Sequence, residues 1–364
     1  MSLQLQAIST ATPEHAICQH EAAERAATMF HSNSADESLI LSIHEATGVQ
    51  QRHSVLLQSS SNGMPAATSF YPPVSSAADR GPTTAQRMAI FEGAAAELAS
   101  QASEEALTVS GHPPESITHL VTVSCTGFEA PGVDLKMIER LGLSLDVART
   151  HVGFMGCHGT FNGLRIAAGM VKADPRAVVL VSSIELCSLH YQYHPRRDGI
   201  VANALFADGS GAVVGCHAPA TEGPPWRVVD SRSTIIPGTG SLMSWRVGNY
   251  GFEMTLSAKV PIVIQRRLRP WIEAWLAEHD LKLNQVGSWA VHPGGPRILD
   301  ACATALDLAP HQLQASRDVL TEFGNMSSAT ILFILKRLQL NDAPRPCVAL
   351  AFGPGLTVEA ALIR

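Results

Sequence analysis

Short apolar runs rich in Val, Ile and Leu alternate along this chain with longer segments whose apolar residues recur at helical spacing. The runs are THLVTVSC (118–125), RAVVLVSS (176–183), GSWAVH (287–292), RPCVALAF (345–352) and GLTVEAALI (355–363). Apolar runs of this kind predict strands buried on both faces, and their alternation with helices predicts α/β layering. TAQRMAIFEGAAAELASQASEEAL (84–107) predicts a long amphipathic helix, with Pro82 ahead of it and Gly-His-Pro-Pro at 111–114 behind. The Ser-, Pro- and Gly-rich stretch 57–83 predicts a long surface excursion.

The two halves of the chain repeat one order of signals. In the first, a strand ends at Cys125, a Pro131-Gly132 loop opens the helical segment VDLKMIERLGL, and GFMGC leads into a second helix before the strand RAVVLVSS. In the second, a strand ends at His292, the loop Pro293-Gly294-Gly295-Pro296 opens RILDACATALDL, and EFGNMSSATILFIL leads into CVALAF. Cys157 follows Cys125 by 32 residues and Asn325 follows His292 by 33, which reads as an internal duplication with Cys157 and Asn325 at equivalent positions. Its boundary is expected near 218–226, where APATEGPP breaks any regular pattern. Duplicated α/β halves bring strand ends and helix starts to a shared cleft, and Cys157, His292 and Asn325 all fall at such points.

Composition narrows the class. With 364 residues the chain can bury a large core; 46% of residues are hydrophobic, 16% are charged and the formal net charge is -6, so no general attraction to nucleic acid is expected. The start MSLQLQAISTATPEH lacks a basic and then apolar leader, and no later run is long enough to span a bilayer. Action in the cytoplasm, with no membrane partner, is therefore expected. Seven scattered cysteines without a C-x-x-C pair argue against a zinc site or a disulfide framework, and leave room for one nucleophile among core thiols.

Cys157 stands in GFMGCHGTFNGLRIAAGMV, between Gly156 and Gly159 and ahead of a helix whose buried face carries Phe161, Leu164, Ile166, Ala167 and Met170. A thiol there meets the positive end of the helix dipole, which lowers its pKa and favours the thiolate. The plainer alternative is a small core cysteine. His292, at a strand end before Pro-Gly-Gly-Pro, either takes a proton from such a thiol or is a half-buried structural histidine. Asn325 either caps a helix or donates its amide N–H to a developing oxyanion. The repeat favours one nucleophilic set over three coincidences. Papain-like proteases share the order Cys, His, Asn, but their C-G-[SA]-C-[WY] signature is absent and repeated α/β halves do not suit them.

The segments VSCTGFEAPGVD (123–134), GFMGCHGTFNGLRIA (153–167), ALFADGSGAVV (204–214), WAVHPGGPRILD (289–300), EFGNMSSATILF (322–333) and FGPGLTVE (352–359), taken in order, carry a resemblance. The chain resembles the type III polyketide synthases, the chalcone synthase-like branch of the thiolase superfamily, and bacterial members more than plant ones. The resemblance implies an α/β, thiolase-like, five-layered αβαβα fold built from two duplicated halves: residues 1–220 with the cysteine, and 221–364 with the histidine and asparagine. It implies a homodimer, malonyl-CoA and an acyl-CoA starter as substrates, and no metal or redox cofactor. Cys157 would hold the starter as a thioester, while His292 and Asn325 hold the malonyl thioester carbonyl as carbon dioxide leaves. Repeated extension would end in a pyrone, resorcinol or related ring.

By the same resemblance, Phe206 matches a gating aromatic and Met254 the second gate position. Cys125, Glu185, Ser188, Trp245 and Ser327 are expected around the cavity. Basic residues that hold the CoA phosphates in plant members are missing from ADESLILSIHEATGVQQR before Arg52. Gly294, in the HPGGP loop, is expected in the substrate site; Arg297 just after it and the Arg266-Arg267-Arg269 group are candidate replacements, with solvated surface arginines as the alternative, and an acyl carrier protein stays open as starter donor. A ketoacyl synthase III, which condenses once, shares Cys, His and Asn, though FGPG and GNMSS favour the iterative enzyme. A noncatalytic acyl-thioester-binding relative is the alternative of another class.

Overall fold

A computed structural model describes residues 2–29, 34–59, 65–67, 69–193, 197–218 and 226–364. The first half runs β1 (Ser2–Ala11), β2 (Ala16–Cys18), α1 (Gln19–Met29), α2 (Ser34–Ala46), the short strands β3 (Gln51–His53), β4 (Leu57–Ser59) and β5 (Pro65–Ala67), then α3 (Thr84–Ser110), β6 (His119–Ser124), α4 (Val133–Leu141), β7 (Ala148–Gly153), α5 (Gly159–Ala173), β8 (Val178–Leu186), α6 (Arg197–Leu205) and β9 (Asp208–Ala218). The second runs β10 (Arg227–Ile235), the hairpin β11 (Met243–Gly248) and β12 (Gly251–Leu256), α7 (Val260–Ala277), β13 (Ser288–Val291), α8 (Pro296–Leu306), α9 (Gln314–Phe323), α10 (Thr330–Leu340), β14 (Cys347–Gly353) and β15 (Thr357–Ile363). Among the described residues no helix is long and apolar enough to cross a membrane.

Each predicted apolar run becomes a strand because it feeds two cores at once. In β8, Val179 and Val181 enter one cluster and Leu180 another; in β14, Ala349 and Ala351 enter the first and Val348 and Leu350 a third. The long predicted helix is α3, opened by a capping box at Thr83 and Gln86 and closed by Gly111 at φ 70°, its last residue Ser110 lying three residues beyond the expected end. Within the predicted excursion 57–83 lie β4 and β5, and Tyr71 ties the stretch down by donating to Leu189 O at 2.7 Å; residues 60–64 and 68 are outside the described residues.

One nine-stranded sheet, in the order β13-β14-β15-β10-β1-β9-β8-β6-β7, contains the repeat. From its centre outward, β1 is antiparallel to β9, β9 antiparallel to β8, and β8 parallel to β6. In the same succession β10 is antiparallel to β15, β15 antiparallel to β14, and β14 parallel to β13. The halves meet where Leu3 pairs with Val228 and Gln4 with Arg227. Phe161 and Leu164 of α5, with Ile331 and Ile334 of α10, share one core with Val181 of the first half and Ala349 of the second. Outside it, α3 and α4 pack on the far face of the first half, and α7 and α8 on that of the second. The succession is helix, sheet, helix, sheet, helix, as expected. The break expected at 218–226 falls, for 219–225, outside the described residues.

The repeat corrects one detail. A 3-10 turn, Gly156–His158, opens α5, and another, Ser327–Ala329, opens α10. Matching the two sets Gly156 against Ser327, both at positive φ, and Cys157 against Ser328. Asn325 lies three residues before the counterpart of Cys157, not at it.

Candidate active site

A steep turn places the nucleophile candidate. Phe154 and Gly156 take φ of 59° and 75° just ahead of Cys157. Position 156 needs glycine, because a Cβ there would lie 2.6 Å from Pro354 Cδ; at Gly159 it would lie 2.8 Å from Val123 Cγ1. The thiol is thus buried between β6 and the loop after β14, at the start of α5.

His292 follows β13, where its N–H bonds Leu350 O at 2.8 Å, and the residue is 1% exposed. Neither ring nitrogen has a partner among the described residues, so no neighbouring carboxylate fixes its tautomer. Asn325 is held through its backbone beside Phe206: its N–H bonds Leu205 O and its carbonyl accepts Ala207 N–H, both at 2.9 Å. Its side-chain Oδ1 accepts Ser327 N–H at 2.8 Å, which leaves the NH2 end to face Cys157.

Cys157, His292 and Asn325 line one pocket of about 20 Å3 with Phe206, Met254 and Gly294. A second pocket of about 20 Å3 also touches Cys157 and carries Cys125, Cys187, Trp245 and Ser327, again with Phe206 and Met254. A space of that size holds about one water. On the His292 side lies a cavity of about 670 Å3, lined by Gly294, Arg297, Arg197 and the end of α2, and sharing Leu205, Leu256 and Ile298 with the pocket. On the Trp245 side lies one of about 780 Å3, sharing Cys187, Phe206, Trp245 and Met254. Cys157 therefore stands at a constriction between two larger spaces.

Two expectations need correction, that for Glu185 and that for the arginine group. Glu185 lies behind the wall, fully buried, accepting Cys125 N–H at 3.1 Å, the Thr126 hydroxyl at 2.7 Å and the Ser328 hydroxyl. Ser188 lines the 780 Å3 cavity, and its hydroxyl donates to Asp208 Oδ2 at 2.6 Å. Its neighbour Cys187, on the 3-10 turn that follows β8, faces the pocket at Cys157 instead. Arg266, Arg267 and Arg269 line none of these cavities, and Arg269 pairs with Glu273 at 2.9 Å. Met243 and Pro354 were not foreseen; both line the pockets' walls, Met243 from a hairpin whose polar, mixed sequence gives no clear strand signal.

Burial dominates the electrostatics. The Cys157 thiol is pushed up from the ordinary 9.0 to about 12, with bonds from Ser327 and Asn325 pulling the other way. That rise amounts to about 4 kcal/mol, against about 0.3–1 kcal/mol from a helix dipole, so the expected standing thiolate is not favoured. Burial, and then His158, bring His292 down to about 3. The resting pair is a neutral thiol and a neutral imidazole, and ionisation requires them to exchange a proton as a pair. Burial, then Glu185, drives the Cys125 thiol well above its ordinary value; its Sγ lies 3.1 Å from Ser327 Oγ, which is itself 3.7 Å from Cys157 Sγ.

Comparison with known proteins converges on one family. Residues 2–219 match the profile described as chalcone and stilbene synthases, N-terminal domain, and residues 227–364 that of the C-terminal domain. A 1,3,6,8-tetrahydroxynaphthalene synthase of Streptomyces peucetius subsp. caesius is 33% identical over 98% of this chain and 92% of its own length. An alpha-pyrone synthesis polyketide synthase-like protein of Mycobacterium tuberculosis is 31% identical over 98% and 90%. The solved structure of PKS-I from the brown alga Ectocarpus siliculosus superposes with a TM-score of 0.90 at 28% identity, covering 100% of this chain and 98% of that one. The C-terminal type III polyketide synthase domain of Steely1 from Dictyostelium gives 0.90 at 28% identity, covering 100% and 99%. The chain belongs to the chalcone and stilbene synthases: it is a type III polyketide synthase of thiolase-like fold, an iterative acyltransferase of a family that works on malonyl-CoA and acyl-CoA thioesters.

Proposed function

We propose that Cys157 carries the acyl chain while His292 and Asn325 hold the malonyl thioester, a reading that rests on one observation: side chains from both halves of the chain line a single pocket. In loading, the Cys157 proton passes to His292, sulfur attacks the starter thioester, and the CoA thiolate leaves with that proton. In extension, the bond to the malonyl carboxyl breaks, carbon dioxide departs, and the electron pair moves onto the thioester oxygen. An N–H of His292 and the NH2 of Asn325 stabilise that oxyanion in a dry site. The enolate carbon then attacks the acyl group and Cys157 leaves as thiolate, ready for the next round.

The 670 Å3 cavity, with Arg197 and Arg297, takes the CoA arm, and an acyl carrier protein would present its pantetheine at the same mouth. The 780 Å3 cavity beyond Trp245 takes the far end of the chain before ring closure to a pyrone, resorcinol or related product. No organic or metal cofactor enters these steps, and a homodimer acting in the cytoplasm completes the reading. The test is carbon dioxide release from malonyl-CoA. Cys157→Ala should still release it while forming no extended product; His292→Ala and Asn325→Ala should lose both, with release falling about 10²–10³-fold. A wild-type chain that releases none would sink the reading.

A further inference from the structure

His158, next to the nucleophile, has no part in these steps. It is buried on the turn that carries Cys157, at 3% exposure. Its Nδ1 lies 3.0 Å from Asn162 Oδ1, one helical turn on. Asn162 Nδ2 donates to Glu359 Oε1 at 3.4 Å, which leaves Oδ1 as the acceptor. His158 therefore bears its proton on Nδ1 and presents Nε2 as a bare lone pair. Glu359, buried on β15, pairs with Arg165 of α5, whose Nε also donates to Ser231 at 3.2 Å. The far edge of the imidazole rests on Gly353, where a Cβ would meet Cδ2 at 2.2 Å and Nε2 at 2.7 Å.

A slot cut to the ring thus holds an ionisable group beside the proton-exchanging pair and links it, through one amide, to an ion pair that reaches solvent at Arg165. His292, with both nitrogens unpartnered among the described residues, lines one pocket with Cys157, whose turn carries His158, and a positive charge on His158 lowers the His292 pKa.

We propose that His158 is a positioning residue for proton transfer at Cys157: neutral, it fixes the turn through Asn162 and lets His292 accept the thiol proton; protonated, it opposes the His292 imidazolium and silences the nucleophile. The inference rests on the roles given to Cys157 and His292 above. In the step it controls, the S–H bond of Cys157 breaks and an N–H bond on His292 forms, and no other proton moves. A second positive charge in the same dry region makes that transfer costlier. The charged or titratable groups facing His158 are Glu359 from β15, Arg165 from α5, and His292 from the segment after β13. Burial holds the His158 ring below the ordinary 6.5, while Asn162 and Glu359 pull it up and Arg165 pulls it down.

Alkylation of Cys157 by iodoacetamide, followed by mass spectrometry of its peptide from roughly pH 5 to 9, reads this directly and needs no product. The wild type should lose rate toward acid with a step below pH 6.5. His158→Gln keeps a partner for Asn162 without a charge, and should abolish that step. Arg165→Gln, at the solvent end, removes the cation opposite Glu359 and should move the step to higher pH by about half a unit with its plateau rate unchanged. An acid step that persists in His158→Gln, or an Arg165→Gln profile that superimposes on the wild type, overturns the proposal; should His158→Gln fail to fold, the Arg165→Gln profile decides alone. A chain that shows the step but releases no carbon dioxide from malonyl-CoA overturns instead the reading of the reaction.

Discussion

Trp245 donates its Nε1–H to Cys125 O at 2.7 Å and packs edge-on against His190 and Phe252, with ring centroids 5.4 and 5.8 Å away. His190 is locked in turn: Nε2 donates to Thr126 O at 2.6 Å, Nδ1 accepts Phe252 N–H at 3.0 Å, and burial, bringing its pKa to about 3, keeps it neutral. The braced indole stands, with Cys187, Phe206 and Met254, between the pocket of about 20 Å3 at Cys157 and the cavity of about 780 Å3. Trp245→Ala should merge the two at a cost of about 2 kcal/mol, below the usual figure because the ring is only partly buried. Mass spectrometry of products across a series of acyl-CoA lengths should then show the preferred starter shifting to longer chains; an unchanged preference would mean the large cavity takes no part. That Cys157, His292 and Asn325 would meet in one pocket was legible because each stands at a strand end or helix start marked by glycine or proline. Cys187 was not, since it lies on the 3-10 turn after β8, where no apolar pattern tells which of Cys187 and Ser188 faces the pocket. Nor was the direction of the Cys157 pKa, because burial is a property of the assembled pocket while the helix dipole is visible in local sequence.

The turn from Phe154 to Gly159 is the element on which the nucleophile depends, and glycine scanning separates its constraint from helix propensity. Gly156→Ala places a side chain at φ 75° and 2.6 Å from Pro354 Cδ, so either the turn or the loop after β14 must yield. A loss of about 1–3 kcal/mol and slower alkylation of Cys157 should follow. Gly169 lies on the exposed face of α5 with nothing within 4 Å of a new Cβ. Gly169→Ala should therefore stabilise the protein by about 0.5–1 kcal/mol and leave Cys157 reactivity alone. Thermal melts with alkylation rates would expose a misreading if both variants behaved alike. Element legibility follows the same physics of burial. Strands covered on both faces, such as β8 and β14, announce themselves as apolar runs, whereas the edge strand β7 (ARTHVG) and the half-exposed hairpin β11-β12 do not. β1 carries the alternation of buried Leu3, Leu5 and Ala7 in SLQLQAIS, a period-two signal that the search for continuous runs passes over.

Across the whole molecule the duplication is unequal. Among the described residues the first half supplies five strands to the sheet and the second four, with β7 lacking a counterpart. The repeat was legible from motif order; the inequality was not, because it lies in a strand that pairs on one side only. Among the described residues β7 pairs only with β6 and ends the sheet, so its other edge offers unpaired backbone groups, and Ala148, Arg149, His151 and Gly153 are exposed or partly so. Beside it Phe128, 53% exposed, stacks on Phe252 at 6.1 Å and meets Phe154 edge-on at 5.9 Å, next to Met155 at 38% exposed. An open strand edge flanked by exposed aromatic and sulfur side chains suits a two-fold contact, in which β7 of one copy pairs antiparallel with β7 of another and continues the sheet. The proposed homodimer should therefore sediment at twice the 38.7 kDa chain mass. Phe128→Glu buries a charge at that contact and should shift the boundary toward single chains. Leu340→Glu, at a site 75% exposed on the end of α10, should not. Single chains in the wild type would remove the dimer altogether, and a Leu340→Glu protein that dissociates while Phe128→Glu does not would move the contact from β7 to the second half.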